Sequence, residues 1–110
     1  MYQRGDIVLV PFPFADLSTT KLRSGLVISN DVVNATGDVI IVMVTSQNKN
    51  DSFQIEINAS DVVPSLPKTS YVRCHRISTI DSAIIVSLIS RAGSGLLTSV
   101  QNKIFDLVSA

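Results

Sequence analysis

Three ionisable side chains crowd one short apolar stretch, Tyr71-Val72-Arg73-Cys74-His75-Arg76-Ile77. Strand alternation puts Arg73 and His75 on one face and Arg76 on the other. A guanidinium beside an imidazole suits a phosphate and a proton. The planar fork matches two phosphate oxygens, and the imidazole titrates near neutrality. Other polar groups interrupt apolar runs. Arg23 stands at the entrance to the run Leu26 to Ser29, and Thr45, Ser46 and Gln47 close the most apolar run, Asp38 to Ser46.

Plainer roles stand beside these. Arg73 could pair with a nearby carboxylate. His75 could be a hydrogen-bonded strand residue, and Thr45 and Ser46 ordinary strand-end residues. Cys74 has the opposite parity to Arg73 and His75 and reads as core packing. Asp16, Ser18 and Lys21 read as a solvated loop. With one His and one Glu in the chain, a Ser-His-carboxylate triad would have to run through His75. No nucleophile elbow, phosphate-binding Gly-rich loop, dinucleotide fingerprint or HExxH motif is present. One Cys and one His build neither a disulfide nor a zinc site, so no metal or cofactor is expected.

The elements that must position these groups are mostly strands. Ile7 to Phe12 follows a Gly5-Asp6 turn signal and is rich in β-branched residues, with Pro11 and Pro13 expected to end it. Leu26 to Ser29 and Asp38 to Ser46 are the next runs. Phe53, Ile55 and Ile57 alternate with polar residues, Tyr71 to Ile77 is a fifth strand, and Ala83 to Ile89 favours strand by its β-branched content. Polar connections span Pro13 to Arg23, Gln47 to Ser52 and Ser60 to Ser70, and loops of that length in a small domain are often functional. Val100, Ile104, Leu107 and Val108 form a helical stripe, with Thr98 and Gln101 as a capping box. The expected fold is mainly β, a small bent barrel carrying a C-terminal α-helix.

The bulk properties agree with a single domain spanning residues 1–110. The chain is 45% apolar and 16% charged, with 9 basic and 9 acidic residues, which excludes disorder and any global polyanion-binding charge. Its longest apolar run, Val39 to Val44, is six residues, against about 20 for a membrane span. The first residues lack the apolar core of a signal peptide, so a cytoplasmic protein is expected.

The segments RGDIVLVPFPFADLSTTKLRSGLVIS, IIVMVTSQ and SYVRCHRISTID, in this order, resemble the MazF/PemK/Kid family of toxins from toxin–antitoxin pairs. The matching pieces are Arg4-Gly5-Asp6-Ile7, Leu22-Arg23, Val44-Thr45-Ser46, Val72-Arg73-Cys74 and Thr79-Ile80-Asp81. The resemblance implies an SH3-like barrel of the CcdB/PemK type and a homodimer. It implies a metal-independent endoribonuclease that cuts single-stranded RNA, is inhibited by a cognate antitoxin protein, and meets DNA only through that antitoxin.

Carried over, Arg23 and Thr45 match the pair that grips the scissile phosphate. Arg73 matches a catalytic Arg, and His75 falls where one branch of the family has a catalytic Asp. Asp16, Lys21, Ser46, Gln47, Lys49 and Arg76 are the expected RNA contacts, with Lys68 a further cation near the groove. Two departures stand out. Ser24-Gly25 follows Arg23 where the family has Pro and a small residue, which removes a stiffening ring; and His75 replaces Asp, which offers a better base near neutral pH. Two readings from another class remain. One is a barrel that acts by binding with little or no catalysis. The other is gyrase poisoning of the CcdB kind, which relies on a Trp-Gly-Ile terminus, whereas this chain has no Trp and ends Val108-Ser109-Ala110.

Overall fold

The computed structural model describes residues 1–13 and 20–110. In chain order the elements are β1 (Asp6–Pro13), β2 (Thr20–Val27), α1 (Asp31–Asn34), β3 (Asp38–Thr45), β4 (Gln54–Ile57), β5 (Val62–Val63), β6 (Ser70–Asp81), β7 (Ser87–Ala92) and α2 (Ser94–Val108). The strands pair antiparallel in one seven-stranded sheet of order β4-β6-β3-β2-β1-β7-β5. Its two edge strands, β4 and β5, are consecutive in the chain, joined only by residues 58–61. A single turn can bridge the two edges only if the sheet curls round on itself, so the connectivity imposes a barrel. The turn is pinned by the Asn58 N–H donating to Asp61 Oδ2 (2.7 Å) and the Gly93 N–H donating to the Asp61 carbonyl (2.9 Å).

Both faces of the sheet carry apolar clusters. Ile7, Leu26, Val42, Val72 and Cys74 pack on one side against Leu96, Leu97 and Val100 of α2. Val8, Val10, Val27, Val39 and Ile41 are wholly buried in a second cluster. This is why Asp38–Thr45 reads as apolar at nearly every position: β3 is covered on both faces. Gly5 makes the entry to β1, at φ +103°, where a Cβ would stand 3.1 Å from the Ala92 carbonyl oxygen. An L side chain there would be strained both by the backbone angle and by the contact.

Several sequence expectations are corrected. Pro11 does not end β1, which runs on to Pro13, its last residue. The two prolines share the backbone parity of Leu9, whose carbonyl accepts the Val86 N–H on the β7 side. Pairing with β7 reaches only Leu9, so the missing proline donors fall on an open edge where no ladder bond is lost. Strand β2 begins at Thr20 rather than Leu26, because its pairing with β1 runs from Pro13↔Thr20 to Ile7↔Leu26. The segment expected as one strand from Ala83 is a 3₁₀ turn (Ser82–Ile84) followed by β7. Helix α2 starts at Ser94 with Gly93 as its N-cap and no side-chain capping bond, so the Thr98–Gln101 pair lies inside the helix. Its buried stripe is Leu96, Leu97 and Val100, while Val108 is exposed. Among the described residues no helix is long and apolar enough to cross a membrane.

Candidate active site

The site grows out of the ends of β2 and β3. Their ladder closes at Ser24↔Val44, and one step further the same register sets Arg23 opposite Thr45. Ser24 is paired on both sides, with Leu9 and with Val44. The backbone that aims Arg23 is therefore fixed by two neighbouring strands, and the expected loss of stiffness from the absent proline is compensated by the ladder. Thr45 Oγ1 accepts the Gln47 N–H at 3.1 Å. An oxygen oriented as acceptor keeps its own O–H for donation to a ligand.

Arg23, Thr45 and Gln47 line two cavities at once. One, of about 310 Å³, is completed by Met43, Lys49, Arg73, His75 and Arg76. The other, of about 280 Å³, holds Ser24, Ser46, Lys68 and Ser70 against apolar walls that include Leu22, Leu66 and Pro67. Four cationic side chains, Arg23, Lys49, Arg73 and Arg76, thus face one space. That is how a chain of zero net charge gathers a local positive field.

The expected parity of β6 fails at an informative place. Register with β3 jumps from Val42↔Ile77 to Val44↔Val72, so Met43 alone stands against Arg73, Cys74, His75 and Arg76. The bulged segment leaves β3 and bonds outward, the Cys74 N–H donating to the Phe53 carbonyl at 2.9 Å. Such a bulge re-aims side chains. Arg76, expected on the opposite face, lines the same cavity as Arg73 and His75. Cys74 points into the core, and burial pushes its thiol up to about 11, which keeps it neutral and unreactive.

The plain reading of Arg73 is what its geometry shows. Its guanidinium, 8% exposed, grips Asp51 through two parallel bonds, Nη1 to Oδ1 at 2.8 Å and Nη2 to Oδ2 at 3.0 Å. The same Asp51 Oδ1 accepts the Phe53 N–H at 3.0 Å, and the Phe53 ring lies 4.7 Å from the His75 ring, tilted by 35°. The Arg73 bond, with help from the Phe53 N–H, holds the Asp51 carboxyl below its ordinary range. The His75 imidazole is also held below its ordinary value, by partial desolvation first and then by the Arg73 and Arg76 charges, with Asp51 opposing.

Asp51 and Phe53 are the members of this group that sequence reasoning missed. Of the expected contacts, Ser46 lies in the second cavity only, and Lys49 donates to Gln47 Oε1 at 2.8 Å beside the first. Lys21 is exposed on β2, outside the residues lining either cavity. Asp16 lies outside the described residues.

The small, nearly closed barrel thus carries a cationic cleft at which an arginine–threonine pair and an imidazole meet, donors suited to an anionic group. Solved structures of similar shape are a mycobacterial endoribonuclease in complex with its cognate antitoxin (TM-score 0.79, 18% identity, covering 96% of this chain and 93% of that one) and MazF from Deinococcus radiodurans (TM-score 0.79, 23% identity, 97% and 96%). A third is the MazE–MazF complex from Deinococcus radiodurans (TM-score 0.78, 21% identity, 97% and 95%). At these identities the likeness speaks to the fold. None of the curated proteins is a significant sequence match. The model of the PemK-like, MazF-like toxins of type II toxin–antitoxin systems matches residues 3–108. The chain belongs to this family.

Proposed function

We propose that the protein is a toxin that cleaves single-stranded RNA in the cytoplasm, without a metal ion, at the cavity lined by Arg23, Thr45, Arg73 and His75. The observation that carries this reading is the convergence of four cations, one hydroxyl and one imidazole on a single cleft. RNA brings its own nucleophile, the 2′-OH. The 2′-oxygen bonds to phosphorus as its proton passes to His75, the bond from phosphorus to the 5′-oxygen breaks, that oxygen takes a proton from water, and the hydroxide left behind takes the proton from the His75 imidazolium. The products are a 2′,3′-cyclic phosphate and a 5′-OH end. Arg23 clamps the non-bridging oxygens, and Thr45 donates to the same phosphate. Arg73 contributes positive charge from behind its bond to Asp51. Ser46 and Gln47 reach base edges, while Lys49 and Arg76, with Lys21 further out on β2, follow the strand; Asp16 stays a candidate contact from the sequence alone.

Purified protein should cleave single-stranded RNA with EDTA present and leave cyclic phosphate ends, seen by labelling and mass spectrometry. Absence of cleavage would favour a barrel that acts by binding alone, and inhibition of gyrase would favour the CcdB-like reading. The structural neighbours include complexes with antitoxins, which supports a cognate antitoxin as the protein partner here. DNA contact then runs through the antitoxin, and no membrane is involved.

The toxin is also proposed to be a homodimer. Leu22 on β2, Ile84, Val86 and Leu88 around the start of β7, and Phe105 on α2 are exposed apolar side chains that a second copy would cover. Light scattering at micromolar concentration should give about twice the 11.9 kDa chain mass. A monomer throughout would remove the dimer.

A further inference from the structure

We infer that Asp51 is a positioning residue: its carboxylate holds both the Arg73 guanidinium and the Phe53 backbone, and through the Phe53 ring it sets where the His75 imidazole stands. The inference rests on the cleavage site proposed above and adds to it a residue that reaches the chemistry only through others. Four contacts close a circuit. Asp51 bonds Arg73 with both oxygens, Asp51 Oδ1 accepts the Phe53 N–H, the Phe53 ring packs on His75, and the Phe53 carbonyl accepts the Cys74 N–H. Arg73, Cys74 and His75 are consecutive on the bulge of β6, so the circuit fixes both sides of the segment that carries the imidazole.

The loop that supplies Asp51 meets β6 through the Phe53 carbonyl, which accepts the Cys74 N–H, and through Asp51 itself. Its own bonds are local: Asn48 Oδ1 accepts from Asn50 N–H and Gln54 Nε2, and Gln54 Oε1 accepts the Lys49 N–H. They shape the loop without tying it to β6. Asp51 adds a side-chain tie: the Arg73 side chain is 10% exposed and that of Asp51 34%, and the two parallel bonds between them fix the geometry. Around His75 stand Arg73 and Arg76 from β6, Lys49 and Asp51 from the loop, and Arg23 from β2. Asp51 is the one acidic group among them.

The test uses the chain's single histidine, whose ring proton is a unique NMR signal. In Asp51→Asn, the Phe53 ring-current shift on that signal should relax and His75 should titrate at lower pH, since an opposing negative charge is gone. The RNA cleavage rate should fall about 10–10²-fold through misplacement, in kcat rather than KM, with its acidic limb moving the same way. A folded Asp51→Asn protein with an unmoved ring-current shift would overturn the positioning role, even if the titration moved, because Asp51 would then be a charge and nothing more. Phe53→Leu is the second arm and leaves Asp51 and Arg73 in place. It should also lose the shift and slow cleavage, and wild-type kcat in it would break the proposed link to His75. If wild-type protein cleaves no RNA while both NMR changes occur, the cleavage reading falls and the positioning of His75 by Asp51 stands.

Discussion

Replacing Arg23 with alanine is expected to slow RNA cleavage by about 10²–10³-fold, the usual cost of removing one group that stabilises developing charge. Arg23 lies one step beyond the last β2–β3 pair, Ser24↔Val44, at the seam where the two cavities meet. A phosphate seated there would have a flanking nucleotide on either side. The planar guanidinium reaches two non-bridging oxygens together. Arg23→Lys should therefore recover only part of the rate, because a point charge replaces the fork.

The backbone is held by β1 at Arg23 and by both β1 and β3 at Ser24, independently of the Arg23 side chain, so the melting temperature of Arg23→Ala should stay within a few degrees of wild type. RNA affinity should weaken less than the rate, since Lys49, Arg73 and Arg76 remain in the cleft. Full activity in a folded Arg23→Ala protein would remove Arg23 from the mechanism.

What could be read from the sequence was whatever depends on neighbours in the chain. The strands at Ile7, Asp38 and Tyr71 follow from β-branched runs and alternation, and the barrel follows from strand content with one terminal helix. The burial of Cys74 was likewise legible in its parity. Arg76 was misplaced because alternation assumes an unbroken ladder, and four residues of β6 face Met43 alone. Nothing in the local pattern of Arg73 to Arg76 marks that bulge, which depends on bonding to Phe53 across the sheet. Asp51 was missed for a related reason: it lies 22 residues from Arg73 in a loop whose polar composition reads as solvent-facing. The helix start was misjudged because Thr98 and Gln101 have the right spacing for a capping box, while the real N-cap, Gly93, carries no side chain to signal it.

His75 gives the second large effect. His75→Gln is expected to cut the cleavage rate about 10²–10⁴-fold, the range for losing a general base, while RNA binding persists through the arginines. The base role sets a sign. To accept the 2′-OH proton, the imidazole must be neutral, so the rate should rise as pH climbs through its pKa. Partial desolvation, with Arg73 and Arg76 adding to it, holds that pKa below the ordinary imidazole value, and Asp51 only partly opposes them. The acidic limb should therefore lie below about 6.5, with His75 already neutral and competent at pH 7. A general acid would need the protonated form, which this environment disfavours, so a rate that falls across the same pH range would reverse the assignment. His75→Asp should keep measurable activity and carry the limb down towards carboxylate values, because a carboxylate is the weaker base but stays ionised at lower pH. If Gln instead matches wild type and the limb does not respond to either substitution, His75 serves only as the ring against which Phe53 packs. The base would then have to be sought elsewhere, with Asp16, which lies outside the described residues, the first to substitute.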